Sequence, residues 1–302
     1  MADAHAHASP TVRDLGPALK WAVVLNVGYV LIEAGAGFAI SPLALLADAA
    51  HNLTDVAGLL IAWGAVIAAR KPPSDRFSYG FGRSTILAAL ANSIAILVGV
   101  GAVVLESVQR FSDPVVVPAV PVLIVAAIGI VINAGTAMLF SKDRHHDLNA
   151  EGAFLHMAAD AAVSAGVVIS AVAMLATGWA WLDPLAAILV SVVIAWTAFG
   201  LLRSSFRLSV DAVPDTVDRQ AVTEWLGTRP GVSAVHDLHI WSLSTTAVAM
   251  TVHLVMPGGH PGDAFLDQLA DELYDSFGIA HATLQVEIGD AVECRLAPAN
   301  IV

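Results

Sequence analysis

The sequence predicts an α-helical membrane protein, six transmembrane helices followed by a small cytoplasmic α+β domain, and three observations carry that prediction. Of 302 residues, 57% are hydrophobic and only 13% charged, with a mean hydropathy of +0.74. Six apolar stretches each come close to the roughly 20 residues a helix needs to cross a bilayer. Charge is unevenly divided: residues 1 to 208 hold 11 Lys+Arg against 13 Asp+Glu, whereas residues 209 to 302 hold 3 against 13. The last third is therefore a separate, acidic and more polar unit. Its charge disfavours nucleic acid and anionic lipid as partners and suits cations.

The chain divides into a polar, His-bearing N-terminal tail (1–17), the helical region (18–208), the soluble domain (209–290) and a C-terminal tail (291–302). The spans run approximately Ala18 to Ile40, Leu43 to Ala69, Thr85 to Phe111, Pro121 to Phe140, Asn149 to Thr177 and Pro184 to Leu202. Only Ser41-Pro42 separates the first two, a tight hairpin with Pro near a first helical turn, and Asp183-Pro184 opens the sixth with Asp as N-cap. Arg70, Lys71, Arg76 and Arg83 follow span two, Lys142 and Arg144 follow span four, and Arg203 and Arg207 follow span six. The opposite connections offer only Arg110, so the positive-inside rule puts both termini in the cytoplasm. Met1 to Pro10 has no cationic n-region ahead of an apolar core, so no cleaved signal peptide is expected. The single cysteine, Cys294, excludes an intrachain disulfide.

Beyond Leu202 the pattern changes. Thr216 to Thr228 reads as a helix capped by Asp215 or Thr216, and Ala234 to Leu243 and Ala247 to Met256 as strands. Phe265 to Phe277 is an amphipathic helix with a stripe of Phe265, Leu266, Leu269, Leu273 and Phe277, and Ala282 to Ile288 is a third strand. The order α-β-β-α-β predicts a three-stranded sheet with helices on one face.

Two spans carry the same tetrad, H-x-x-x-D: His51 with Asp55, and His156 with Asp160. Residues four apart share a helix face, so each segment offers an imidazole and a carboxylate to one point. Span two runs inward and span five outward, with both motifs near mid-span, so all four groups can meet at one depth. Neutral imidazole and carboxylate are ligands a tetrahedral zinc-like ion accepts. A mid-span carboxylate costs about 2.5 to 3.5 kcal/mol on insertion scales, so such residues mark function by default. Pairing between helices explains a lone His or Asp, but does not explain two matched copies. Asp48, three residues before His51, belongs beside that histidine or on the ion's path.

Other polar groups carry less. Asn26, Asn92 and Asn133 suit interhelical hydrogen bonds, and Glu33 and Glu106 the outer mouth. In Val235 to Trp241 (VHDLHIW), the spacing of His236 and His239 puts them on opposite faces of a regular strand, so only one joins a given site. His253, His260, His281, Glu287 and Cys294 are further donors, and His5, His7, His145 and His146 sit in tail or loop segments.

Taken together, Ser41 to Asp55 (SPLALLADAAHNLTD), Leu155 to Asp160 (LHMAAD), Val235 to Trp241 and Phe277 to Glu287 (FGIAHATLQVE) resemble the cation diffusion facilitator family of proton-coupled divalent-metal exporters. The resemblance runs from the first span to Asp290. It implies that His51, Asp55, His156 and Asp160 form the transport site, in the His-Asp/His-Asp version of the zinc-transporting branch. It further implies a homodimer in a bacterial inner (plasma) membrane, with a metallochaperone-like cytoplasmic domain that holds structural or regulatory Zn²⁺ at the dimer interface; His236, His253, His281 and Glu287 match those ligand positions. Two departures stand out. Thr85 replaces a usual acidic residue and no His lies between Arg70 and Arg83, so the loop metal site of some members is not expected. Cys294 stands alone where many relatives have a cysteine pair, so a tail thiolate site needs another donor, with His5 and His7 as candidates.

The mechanism implied is exchange of cytoplasmic Zn²⁺ for H⁺ by alternating access, because a ligand must shed its proton to bind metal and imidazole titrates near neutrality. No G-x-x-x-x-G-K-[ST] motif points to ATP. Cd²⁺ and Co²⁺ accept similar ligands, and Mn²⁺ or Fe²⁺ export by the same scheme is an alternative. An intramembrane metalloenzyme would want an open position and H-E-x-x-H, which is absent. A membrane metal sensor would bind without transport.

Overall fold

The computed structural model describes residues 15–40, 43–112, 119–179, 181–289, 294 and 296, with the backbone alone at 32–40, 43–55 and several further helical positions. His5 and His7 lie outside the described residues, as does the Ser41-Pro42 turn. The side chains of Glu33, Asp48, His51, Asp55 and Asp183 lie outside them too.

Among the described residues six long helices come first: α1 (Gly16–Ile40), α2 (Leu43–Ala69), α3 (Arg83–Ser112), α4 (Ala119–Phe140), α5 (Leu148–Thr177) and α6 (Leu182–Ser209). Their boundaries follow composition, because an apolar run in lipid must satisfy its backbone within itself. The last helix continues seven residues past the apolar stretch that ends at Leu202. At the start of α5, Asp147 accepts hydrogen bonds from the amides of Asn149 (2.7 Å) and Ala150 (3.3 Å), a cap not foreseen in the sequence.

Helices α1, α2, α4 and α5 share one core, in which Leu19, Leu59, Phe140, Ala153 and Met157 are buried. A second cluster of Ile96, Ala159, Ile194 and Ala198 joins α3 and α6 to α5. Interhelical contacts use small residues and the polar Asn26, whose amide donates to Ala22 O at 2.9 Å and reaches Met157 Sδ at 3.5 Å. The outward faces are apolar: Val131, Met138 and Trp196 are 72%, 73% and 83% exposed. Apolar surface on that scale needs a nonaqueous neighbour. Among the described residues α3, over Arg83–Phe111, is the one helix that meets the length and composition of a membrane span unaided.

The soluble part forms its own compact unit. It contains α7 (Arg219–Gly227), β1 (Ala234–Ser242), β2 (Val248–Val255), α8 (Asp263–Phe277) and β3 (Ile279–Glu287). Asp218, rather than Asp215 or Thr216, caps α7, accepting from the amides of Gln220 and Ala221. Gly278 closes α8 in the left-handed region at φ 70°, where a side chain would be strained. The sheet order is β1-β2-β3, with β1 antiparallel and β3 parallel to the central strand. Val222, Leu226, Leu269 and Leu273 of the helices pack on Leu238, Ile240, Met250, Val252 and Leu254 of the strands. That leaves the other sheet face available for polar chemistry.

Candidate metal centres

In the helical region, His156 and Asp160 stand on successive turns of α5, with Nε2 and Oδ2 3.8 Å apart and side chains only 14% and 18% exposed. That separation is close to the edge of a tetrahedral zinc shell, about 3.4 Å for bonds near 2.1 Å. Helix α2, whose backbone carries His51 and Asp55 at the same spacing, packs against α5.

The soluble centre is described more fully. In a regular strand His236 and His239 would face opposite ways, but β1 is not regular between them. His236 lies opposite His253 and His239 opposite Thr251, so three steps on β1 match two on β2. The extra residue is a bulge in which Asp237 adopts φ 50°. Residues opposite one another share a face, so the bulge returns both histidines to the face of His253, correcting the sequence expectation. They nevertheless take different partners. His236 Nε2 contacts Glu287 Oε2 at 2.9 Å, while His239 Nε2 contacts Asp237 Oδ1 at 3.0 Å.

Glu287 ends β3 and links both inner histidines, its Oε1 lying 2.9 Å from His253 Nδ1. Asp237 backs the same ring, with Oδ2 3.4 Å from His253 Nε2. Cys294 Sγ lies 3.7 Å from His253 Nδ1. One donor atom from each of His236, His253, Glu287 and Cys294 falls within 4.8 Å of the others. Two imidazoles, a carboxylate and a thiolate are a fitting set for a tetrahedral zinc-like ion. His236 Nδ1 is buried and, among the described residues, has no hydrogen-bond partner. A ring so held is suited to a ligand the chain itself does not supply.

Electrostatics at the cluster run in opposite directions. Burial acts to raise the Glu287 carboxyl, but hydrogen bonds from Cys294 and His236 and the charges of both imidazoles outweigh it and hold the group below its ordinary value. At Cys294 the Leu296 amide acts to lower the thiol. The hydrogen bond to Glu287, burial and the negative charges of Glu287 and Asp237 overcome it and leave the thiol above its ordinary value.

Thus the structure brings together His236, His253 and Glu287, and adds Cys294, whose neighbours are these strand residues. His281 is exposed on β3, opposite Ala249, and lies outside the cluster. Six strand residues separate it from Glu287, about 20 Å at 3.3 Å per residue. His145 sits beside Arg144, which donates to its Nε2 at 3.1 Å, and His260 accepts from the Gly262 amide; neither is a member of the cluster.

Comparison with known proteins settles the family. Residues 19–208 match the cation efflux transmembrane domain, and residues 214–288 match the cytoplasmic domain of cation efflux proteins. The chain belongs to the cation efflux, or cation diffusion facilitator, family. This is a family of membrane transporters of metal ions. Within it, the zinc transporter ZitB of Escherichia coli (strain K12) is 35% identical over 291 residues, covering 95% of this chain and 93% of that protein. The metal cation efflux system protein CzcD of Cupriavidus metallidurans is 34% identical over 299 residues, 98% of this chain and 94% of its own. A cadmium, cobalt and zinc/H(+)-K(+) antiporter of Bacillus subtilis is 32% identical over 269 residues, 87% and 86% of the two chains.

Proposed function

We propose that this protein exports Zn²⁺, with Cd²⁺ and Co²⁺ as lesser substrates, from the bacterial cytoplasm in exchange for protons. It does so as a homodimer of six-span subunits with both termini in the cytoplasm. The observation that carries the reading is the recurrence of one His–Asp pair on two helices in contact, within relatives named for zinc, cadmium and cobalt transport. His51, Asp55, His156 and Asp160 form the transport site. Zinc arriving from the cytoplasm binds when the imidazoles are neutral and the carboxylates ionised. Reorientation then exposes the four ligands to the more acidic outside, where protonation releases the metal. The protonated site returns inward and gives its protons to the cytoplasm, which makes the exchange obligatory.

In the soluble domain, His236, His253, Glu287 and Cys294 would hold a resident zinc ion that ties the C-terminal tail to the sheet. Nitrogen and sulfur donors favour Zn²⁺ or Cd²⁺ over Mn²⁺ and Fe²⁺. Asp237 orients the His253 ring, as carboxylates commonly do behind metal-bound imidazole.

The reading is tested with inside-out vesicles carrying wild type, Asp55→Ala, Asp160→Ala and His253→Ala. Zinc uptake should vanish in the first two variants and persist in the third. Uptake that survived both Asp substitutions would refute the transport site.

A further inference from the structure

Asn92 of α3 occupies a place that the transport site itself does not explain. An added Cβ at Gly58 of α2 would sit 3.0 Å from Asn92 Oδ1, and one at Gly152 of α5 would sit 2.9 Å from Asn92 Nδ2. At Gly152 the distance is shorter than real contacts allow and at Gly58 it is tight enough that the carboxamide would have to give by a few tenths of an ångström, so Asn92 sits in two notches that the glycines leave open. Gly129 of α4 is similarly close to another side chain, an added Cβ there sitting 2.8 Å from Tyr29 Oη, whereas Gly28, Gly64, Gly101 and Gly135 would meet nothing within 4 Å.

The positions of the two notches matter. Gly58 follows His51 by seven residues and Asp55 by three, and Gly152 precedes His156 by four and Asp160 by eight. These spacings put each glycine on the same helix face as the ligand pair, about one turn away. Both lie toward the end of the bundle where α2 finishes and α5 begins. One side chain from a third helix therefore wedges the two ligand-bearing faces apart at a fixed distance. Helix α3 packs against both α2 and α5, and Ser93 beside Asn92 is buried, which fixes that stretch of α3 in the interior.

We propose that Asn92 is a positioning residue that sets the separation of α2 and α5, and thereby the preference of the transport site for zinc over a larger ion such as cadmium. The inference rests on the transport-site reading given above. A side chain seated between two helices at once resists their closure, because contact on both sides leaves the two backbones no room to approach. Ligand placement to within about 0.5 Å decides whether a site suits one ion or another. A displacement of a few tenths of an ångström at the notch, transmitted along a rigid helix turn, is on that scale.

The experiment measures zinc and cadmium Kd by calorimetry on purified full-length protein in a His253→Ala background, which silences the soluble cluster. Gly152→Ala should weaken zinc about tenfold and cadmium by less than about threefold, the range expected when a supporting group is displaced. Adding Asn92→Ala to Gly152→Ala relieves the overlap with the new methyl group but also removes the wedge, so the cadmium-to-zinc Kd ratio should stay shifted, as in Asn92→Ser. Asn92→Ser, which adds no volume, should shift the ratio by itself, and it covers the case in which Gly152→Ala fails to fold. Equal weakening of both metals, or a ratio that stays at the wild-type value in both Gly152→Ala and Asn92→Ser, would overturn the inference. So would a double variant whose ratio returned to the wild-type value. If Asp160→Ala leaves metal binding intact, it is the transport-site reading that falls; if Asp160→Ala abolishes binding while the ratio is unmoved, only the role of Asn92 falls.

Discussion

Glu287→Ala is the most informative single substitution in the soluble domain, because one carboxylate contacts both inner histidines at 2.9 Å. A zinc site of four ligands worth about 10 to 16 kcal/mol in total assigns roughly 3 kcal/mol to each, a loss of about a hundredfold in affinity. The consequence for stability follows by mass action. At free zinc equal to 100 times the wild-type Kd, the wild type gains about 2.7 kcal/mol, and a variant bound a hundredfold more weakly gains about 0.4 kcal/mol. The assay is the zinc-induced rise in melting temperature of full-length protein in detergent, in an Asp160→Ala background so that the membrane pair does not contribute. The zinc-dependent rise should nearly disappear in Glu287→Ala. A rise of more than half the wild-type size would refute the assignment of Glu287 as a ligand.

Further outcomes follow from the same structure. Because the Cys294 thiol is held above its ordinary value it is protonated at neutral pH before metal binds, so zinc binding should release about one more proton in wild type than in Cys294→Ser, read from calorimetry in buffers of different ionisation enthalpy. Glu287, held below its ordinary value, is already ionised and adds no proton, so zinc affinity should climb with pH through the thiol's range and flatten in Cys294→Ser. His281→Ala should leave zinc affinity of the soluble domain within about twofold, since the residue stands about 20 Å along the strand from Glu287; a hundredfold loss would contradict the cluster. Leu273→Ala removes a fully buried side chain from the core between helix and sheet and should destabilise the soluble domain by about 2 to 5 kcal/mol, seen as an early thermal transition.

Much of this architecture is legible in the chain because its signals are local. Apolar runs gave α1 to α5 to within two residues and the start of α6, whose end lies seven residues beyond the apolar run, and the i, i+4 spacing alone selected His156 and Asp160, found 3.8 Å apart. What escaped depends on tertiary structure. The bulge at Asp237 turns on one residue taking φ 50°, and nothing in VHDLHIW announces it; yet it decides that His236 and His239 share a face. Cys294 stands 3.7 Å from His253 Nδ1, a proximity that its seven-residue spacing from Glu287 does not reveal. The distance of His281 from Glu287, by contrast, was available from strand rise alone. The Asn92 wedge is invisible in sequence, since Gly58 and Gly152 lie 94 residues apart and only helix packing brings them to one carboxamide.

The central claim is that zinc moves only in exchange for protons at a site built from His51, Asp55, His156 and Asp160. The most direct measurement follows zinc uptake and lumenal pH together in proteoliposomes with an acidic lumen. Zinc entry should be accompanied by alkalinisation of the lumen in fixed proportion, and Asp160→Ala should abolish both signals. Zinc uptake of equal rate with no pH gradient and no movement of lumenal pH would contradict it.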